Sequence, residues 1–171
     1  RRALPMTAAC TVDTPVGRVR IEAEDDAISV LSWTDKALAP PKTALLRAAA
    51  DQLDAYFAGT RDRFDLPLAP EGTERQKKVW RAICDIPQGA LRTYGDIADE
   101  IGSSARAVGT ACGKNPIPII VPCHRIVATG GGIGGYSGRG GTKTKRQLLD
   151  LEGIQLDPQA SLDLEAPKTS R

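Results

Sequence analysis

Between residues 12 and 33 apolar and polar side chains alternate: Val19, Ile21 and Ala23 interleave with Arg18, Arg20 and Glu22, and Ile28 and Val30 follow the pair Asp25-Asp26. A period of two puts the apolar set on one face of an extended chain, so this stretch predicts a β-hairpin or meander that turns at the aspartates. Residues 36–42, interrupted by Pro40-Pro41, form a connection. Thr43 then stands at the N-cap of a helix whose positions Leu45, Leu46, Ala49, Leu53, Tyr56 and Phe57 share a face, and Gly59 closes it. Residues 63–68 read as one more strand. The break in composition at Ala69-Pro70-Glu71-Gly72 marks a domain boundary.

Beyond it the pattern changes to short helices. Thr73 and Gln76 have capping-box spacing ahead of Val79, Trp80 and Ile83, and Pro87-Gln88-Gly89 ends that helix. Thr93 caps a second helix with Ile97, Ala98 and Ile101, Gly102 supplies a tight turn, and Ser103 or Ser104 caps a third that runs to Gly113. This is the outline of a helix-turn-helix. Residues 117–121 form an apolar, extended run into Cys123, residues 130–141 are rich in glycine, and a last helix over 143–151 stops at Gly153. The fold expected is α+β (or α/β): a small β-sheet-plus-helix domain over 1–70, a mostly helical domain with a helix-turn-helix over 71–153, and a loose tail over 154–171.

Charge narrows the function classes. With 23 basic and 21 acidic side chains the net charge is only +2, so any nucleic-acid site must be a local patch. A chain of 171 residues can bury a core without metal or disulfide staples. Cys10, Cys84, Cys112 and Cys123 lack the density and paired spacing of a disulfide scaffold or zinc module, which fits a reducing compartment. Arg1-Arg2 leads into no long apolar stretch, and no window approaches the roughly 18 apolar residues of a membrane span. A soluble cytoplasmic protein is expected, on the nucleoid if the source is bacterial.

The third helix carries almost no long polar side chains able to read the donor and acceptor pattern of the major groove, which disfavours a sequence-specific regulator. Small residues allow close backbone approach, and Arg106 is the one long cation on it; that suits the minor groove with an inserted side chain. On these residues alone, packing of Ala105, Ala107, Val108 and Ala111 against a neighbouring helix, with Arg106 solvated, stays open.

Cys123 is followed by His124, the only histidine, and by Arg125, while Glu152 lies at a helix end where a carboxylate can orient an imidazole. Such a set can produce a thiolate nucleophile. Neighbours in an extended segment point apart, so a water between Cys123 and His124 is an alternative to a direct bond. An inert buried thiol is the competing reading.

The wider string is more specific: Arg106-Ala107-Val108-Gly109, Asn115-Pro116, Ile120-Val121-Pro122-Cys123-His124-Arg125-Ile126-Val127, Gly134-Gly135-Tyr136-Ser137-Gly138, Leu148-Leu149 and Glu152-Gly153. Over residues 73–153 it resembles the O6-alkylguanine-DNA alkyltransferases, also called methylated-DNA–protein-cysteine methyltransferases, and the β-rich segment before it is similar to the family's ribonuclease-H-like N-terminal domain. The resemblance implies that Cys123 accepts the alkyl group, with His124 as a base acting through water and held by Glu152. Asn115 would brace the helix-turn-helix against the active-site segment. Tyr94 would crowd the target phosphate, Arg106 would fill the gap left in the base stack, and Ala105, Ala107, Thr110 and Arg125 would face the DNA. Val121, Val127, Tyr136 and Ser137 would line the guanine pocket. The implied partner is double-stranded DNA containing O6-alkylguanine, and less readily O4-alkylthymine, bound through the minor groove by a monomer. No cofactor is implied.

That chemistry is self-consistent. A soft thiolate suits displacement of guanine from an O6-methyl carbon, the thioether product is not hydrolysed under mild conditions, and each molecule is therefore used once. Reaching a stacked base requires extrusion of the nucleotide, at about a few kcal/mol. Three departures from the family pattern stand out. Arg75 replaces an aromatic residue before Gln76, the 138–142 loop is longer, and the N-terminal part has only Cys10 and no histidine, which argues against a metal site. The rivals are a non-enzymatic damage-binding module, a helix-turn-helix regulator and a cysteine hydrolase. The acceptor Cys123, the small-residue helix and the lack of an identifiable oxyanion hole weigh against them in turn.

Overall fold

The computed structural model describes Leu4 and residues 6–156, so the N-terminal pair Arg1-Arg2 and the tail from residue 157 lie outside the described residues. The chain divides into two compact units, one running to Gly72 together with Pro116–Ile120, the other comprising Thr73–Asn115 and the residues from Val121 onward.

In the first unit, strands β1 (Thr7–Thr14), β2 (Gly17–Glu24) and β3 (Ala27–Trp33) form an antiparallel sheet in sequence order, and α1 (Ala44–Phe57) follows. The alternation in β2 faces Val19, Ile21 and Ala23 inward, where Ile28, Leu31, Leu46, Ala49, Leu53 and Tyr56 complete the core. The Asp25-Asp26 turn occurs as expected, with Asp25 in the left-handed region at φ 54°, which a short polar side chain tolerates.

Three expectations need correction here. The sheet begins at Thr7 rather than residue 12, because Thr7 to Thr11 pair with Arg20 to Glu24 although their sequence does not alternate cleanly. Val30 is only half-buried: an irregularity at Glu22/Ala23 shifts the register, and Leu31 rather than Val30 follows Ile28 inward. Residues 63–68 form no strand. Gln52 of α1 holds both backbone groups of Asp65, donating to its carbonyl at 3.1 Å and accepting from its N–H at 2.8 Å, and only an isolated bridge between Leu68 and Ile28 remains.

The second unit contains α2 (Glu74–Cys84), α3 (Tyr94–Ile101), α4 (Ala105–Gly113) and α5 (Thr142–Leu151), with a short parallel pair of β4 (Arg92–Thr93) and β5 (Ile126–Val127). Its helix starts follow local chemistry. Thr73 and Gln76 make a reciprocal capping box, as do Thr93 and Asp96, and Ser104 rather than Ser103 caps α4 by accepting from the Ala107 N–H. Gly102 adopts φ 71° between α3 and α4, which builds the expected helix-turn-helix. The Trp80 indole donates to the Ala111 carbonyl at 2.9 Å and ties α2 to α4. α5 begins at Thr142, directly after Gly141 of the glycine loop. No helix among the described residues is long and apolar enough to cross a membrane.

Candidate active site

Cys123 does not lie in an extended segment. Ile119 takes φ 75°, an unusual value for a β-branched residue, which breaks the run over 117–121, and Cys123–Arg125 then form a single 3-10 turn. At three residues per turn, consecutive side chains leave in different directions, so the thiol diverges from the imidazole and guanidinium that follow it.

Four side chains fix this turn. Asn115, at the end of α4, donates its Nδ2–H to the Val121 carbonyl at 3.0 Å and lies 3.2 Å from Cys123 Sγ. His124 Nε2 lies 2.7 Å from Glu152 Oε2, and Arg125 grips the same carboxylate through Nε to Oε1 at 2.8 Å and Nη2 to Oε2 at 3.0 Å. The other arm of Arg125 donates to the Ile86 carbonyl at 2.6 Å. Glu152 follows directly on α5, so the last turn of that helix positions the acceptor. Because a carboxylate only accepts, the network assigns the proton to His124 Nε2 and leaves the Nδ1 lone pair, which has no hydrogen-bond partner among the described residues, as the basic position.

Electrostatics favour a neutral imidazole. Burial pushes the His124 pKa below its ordinary value against the opposing pull of Glu152, whose charge Arg125 already answers. Burial likewise raises the Cys123 thiol, while the Asn115 hydrogen bond and the Lys145 cation work to lower it. Lys145 is fully buried; its ammonium donates to the Ile126 and Gly135 carbonyls at 2.6 and 3.0 Å, and burial lowers its pKa to about 8.

Sequence reasoning missed Lys145. Positions 145, 148, 149 and 152 follow the i, i+3, i+4, i+7 rule of a buried helix stripe, and all four are buried. A lysine on such a stripe was the available signal.

The thiol opens on a pocket of about 260 Å³ lined by Tyr94, Gly109, Cys112, Tyr136 and Ser137, among others. This is smaller than the roughly 300–1,000 Å³ of sites for drug-sized ligands and suits one small group. Burial raises the Cys112 thiol to about 12, which keeps it protonated. Gly134, at φ 72°, brings the glycine loop so close that an added Cβ would lie 3.1 Å from the Tyr94 hydroxyl oxygen and 3.4 Å from Lys145 Nζ.

The residues named from the sequence separate into three groups. Cys123, Tyr94, Tyr136 and Ser137 meet at the pocket, and Asn115, His124 and Glu152 form the network around the turn. Ala105, Arg106, Ala107 and Thr110 are exposed on α4. Three others are displaced from the positions expected of them. Arg125 is 7% exposed and committed to Glu152 and Ile86, so its guanidinium is a buried structural cation rather than a DNA contact. Val121 and Val127 are buried and do not line this pocket; the first gives its carbonyl to Asn115 and the second pairs with Thr93 in β5.

Two family models match the chain: the 6-O-methylguanine DNA methyltransferase DNA-binding domain over residues 74–154 and the ribonuclease-like domain of the same family over residues 9–70. A methylated-DNA–protein-cysteine methyltransferase of Mycobacterium tuberculosis is 43% identical over 150 residues, covering 83% of this chain and 90% of that protein. One from Methanosarcina acetivorans is 42% identical over 150 residues, covering 82% and 95%. Among solved structures, Mycobacterium tuberculosis OGT in complex with DNA superposes with a TM-score of 0.75 at 41% identity, covering 89% of this chain and 96% of that one.

Proposed function

The chain belongs to the O6-methylguanine DNA methyltransferase family, and from that premise we propose that it repairs DNA by moving the alkyl group of O6-alkylguanine onto its own Cys123. The observation that carries this reading is the arrangement at Cys123: a thiol on a small pocket, bonded by Asn115 and followed in one tight turn by the His124–Glu152–Arg125 network.

Cys123 loses its proton through a bridging water to His124 Nδ1. The thiolate attacks the alkyl carbon, the S–C bond forms, the C–O6 bond breaks, and its electron pair goes to guanine. The proton held by the imidazolium neutralises the departing base, so the overall step converts a thiol and an alkylated base into a thioether and guanine. Glu152 keeps the imidazole in the required tautomer, and the Lys145 charge favours the thiolate. Nothing in this cycle cleaves the thioether, and each molecule acts once.

The DNA lies with its minor groove on α4, approached by Ala105, Ala107 and Thr110. Arg106 enters the stack where the extruded nucleotide was, and Tyr94 helps drive the rotation before the base settles against Tyr136 and Ser137. O4-alkylthymine is a poorer substrate of the same pocket. Residues 71–153 constitute the working domain and act as a monomer in the cytoplasm, on the nucleoid in a bacterium, while residues 1–70 form a ribonuclease-like domain.

The test is a duplex with radiolabelled methyl on O6 of guanine. Label passes to the wild-type protein and not to Cys123→Ser; label reaching the serine variant at the wild-type rate refutes the assignment.

A further inference from the structure

A second concavity, about 400 Å³, lies between the start of α2 and α4, lined by Arg75, Arg106, Ser103, Ser104 and Thr110, with the buried Val79 and Ala111 beneath them. Neither guanidinium has an ion-pair or hydrogen-bond partner among the described residues, and no residue lining the groove is acidic. Glu74, beside Arg75 in sequence, pairs instead with Lys77 at 3.9 Å.

The helices that carry Arg75 and Arg106 are tied together. Trp80, 2% exposed, donates its indole N–H to the Ala111 carbonyl, and Val79 sits one helical turn after Arg75 on the same face of α2. The free positive charge comes from the guanidiniums. One first-turn amide of each helix is already capped, Gln76 N–H by Thr73 and Ala107 N–H by Ser104. The Ser104 hydroxyl accepts from Ala107 and so keeps its own proton to donate.

The geometry points to a phosphodiester of duplex DNA as the occupant, clamped by Arg75, so that α2 extends the DNA-binding face beyond the helix-turn-helix. This rests on the DNA-repair reading above. A forked guanidinium matches two phosphate oxygens, and the groove's uncompensated charge complements that anion. With a net charge of only +2, local cations of this kind must supply the electrostatic part of the affinity. Arg75 acts here as a positioning residue. It sets the register of the backbone while Arg106 enters the groove.

The experiment measures binding of the full chain to a fluorescent undamaged duplex by anisotropy over a range of NaCl concentrations. One lost phosphate contact lowers the magnitude of the slope of log K against log salt by about 1. Arg75→Ala is expected to show that loss with its melting midpoint unchanged, and Arg75→Lys to restore the slope. An unchanged slope in Arg75→Ala overturns the proposal, as does a weakened variant that melts early and is not rescued by lysine. Absence of any binding by the wild-type chain, to this or a lesion-bearing duplex, fails the DNA reading itself and this proposal with it.

Discussion

Glu152→Ala removes the acceptor that His124 and Arg125 share. The carboxylate is fully buried and the Arg125 side chain is 8% exposed, so neither partner can turn to solvent without disturbing the turn at Cys123. Breaking a buried pair costs about 3–5 kcal/mol because the surviving charge stays desolvated. Arg125 keeps its bond to the Ile86 carbonyl, which puts its loss near the lower end, about 3 kcal/mol. The orphaned His124 Nε2–H adds about 1 kcal/mol. For a chain of this size each kcal/mol moves the melting midpoint by roughly 2–4 °C, so the midpoint should fall by roughly 8–16 °C. Transfer should slow by about a hundredfold or more as the imidazole loses its orientation. Scanning calorimetry and single-turnover transfer to an O6-methylguanine duplex read the two effects. Glu152→Gln, which keeps the volume and one acceptor, should recover part of the stability. A melting midpoint within about 2 °C of wild type, or an unimpaired rate in Glu152→Ala, would refute the proposed role of the network.

Three further outcomes follow from the same geometry. The unfolded chain protonates His124 near its ordinary value of 6.5, whereas the folded site holds the imidazole neutral to lower pH. The unfolded state therefore binds more protons in that window, and stability should drop as pH falls below about 6.5; His124→Gln should flatten this limb in denaturation curves before the carboxylates titrate. Asn115→Leu removes the donor to Sγ and to the Val121 carbonyl, and should raise the Cys123 thiol pKa further and slow transfer by about tenfold or more at neutral pH, read by pH-dependent thiol alkylation and by transfer rate. Arg106→Ala should slow repair in duplex DNA more than reaction with free O6-benzylguanine; equal loss on both substrates contradicts its role in the base stack.

What the sequence disclosed was chiefly what local rules determine. The period-two alternation of β2 and the caps at Thr43, Thr73 and Thr93 depend on neighbours a few residues away and stand where the pattern put them, and of the two serines open for the third helix the structure takes Ser104. The cluster at Cys123 was legible because His124 adjoins Cys123 and Glu152 ends a recognisable helix, while Asn115 entered through the family resemblance. What escaped depends on tertiary partners. Arg125 reads as a free cation until the Ile86 carbonyl and Glu152 enclose it, and the role of Lys145 depends on the Ile126 and Gly135 carbonyls that its ammonium reaches. The 63–68 segment has strand-like composition, but the Gln52 side chain satisfies backbone groups that a neighbouring strand would otherwise pair. The extended run before Cys123 is lost at Ile119, whose left-handed backbone no periodicity announces.

The decisive measurement is the mass of the Cys123-containing peptide after the protein has fully repaired a duplex carrying O6-methylguanine, taken together with the stoichiometry of repair. Irreversible acceptance requires the mass of one methyl group in place of hydrogen on Cys123, with repair stopping at one lesion per protein molecule. An unmodified Cys123 after complete repair, or continued repair beyond one equivalent, would contradict it.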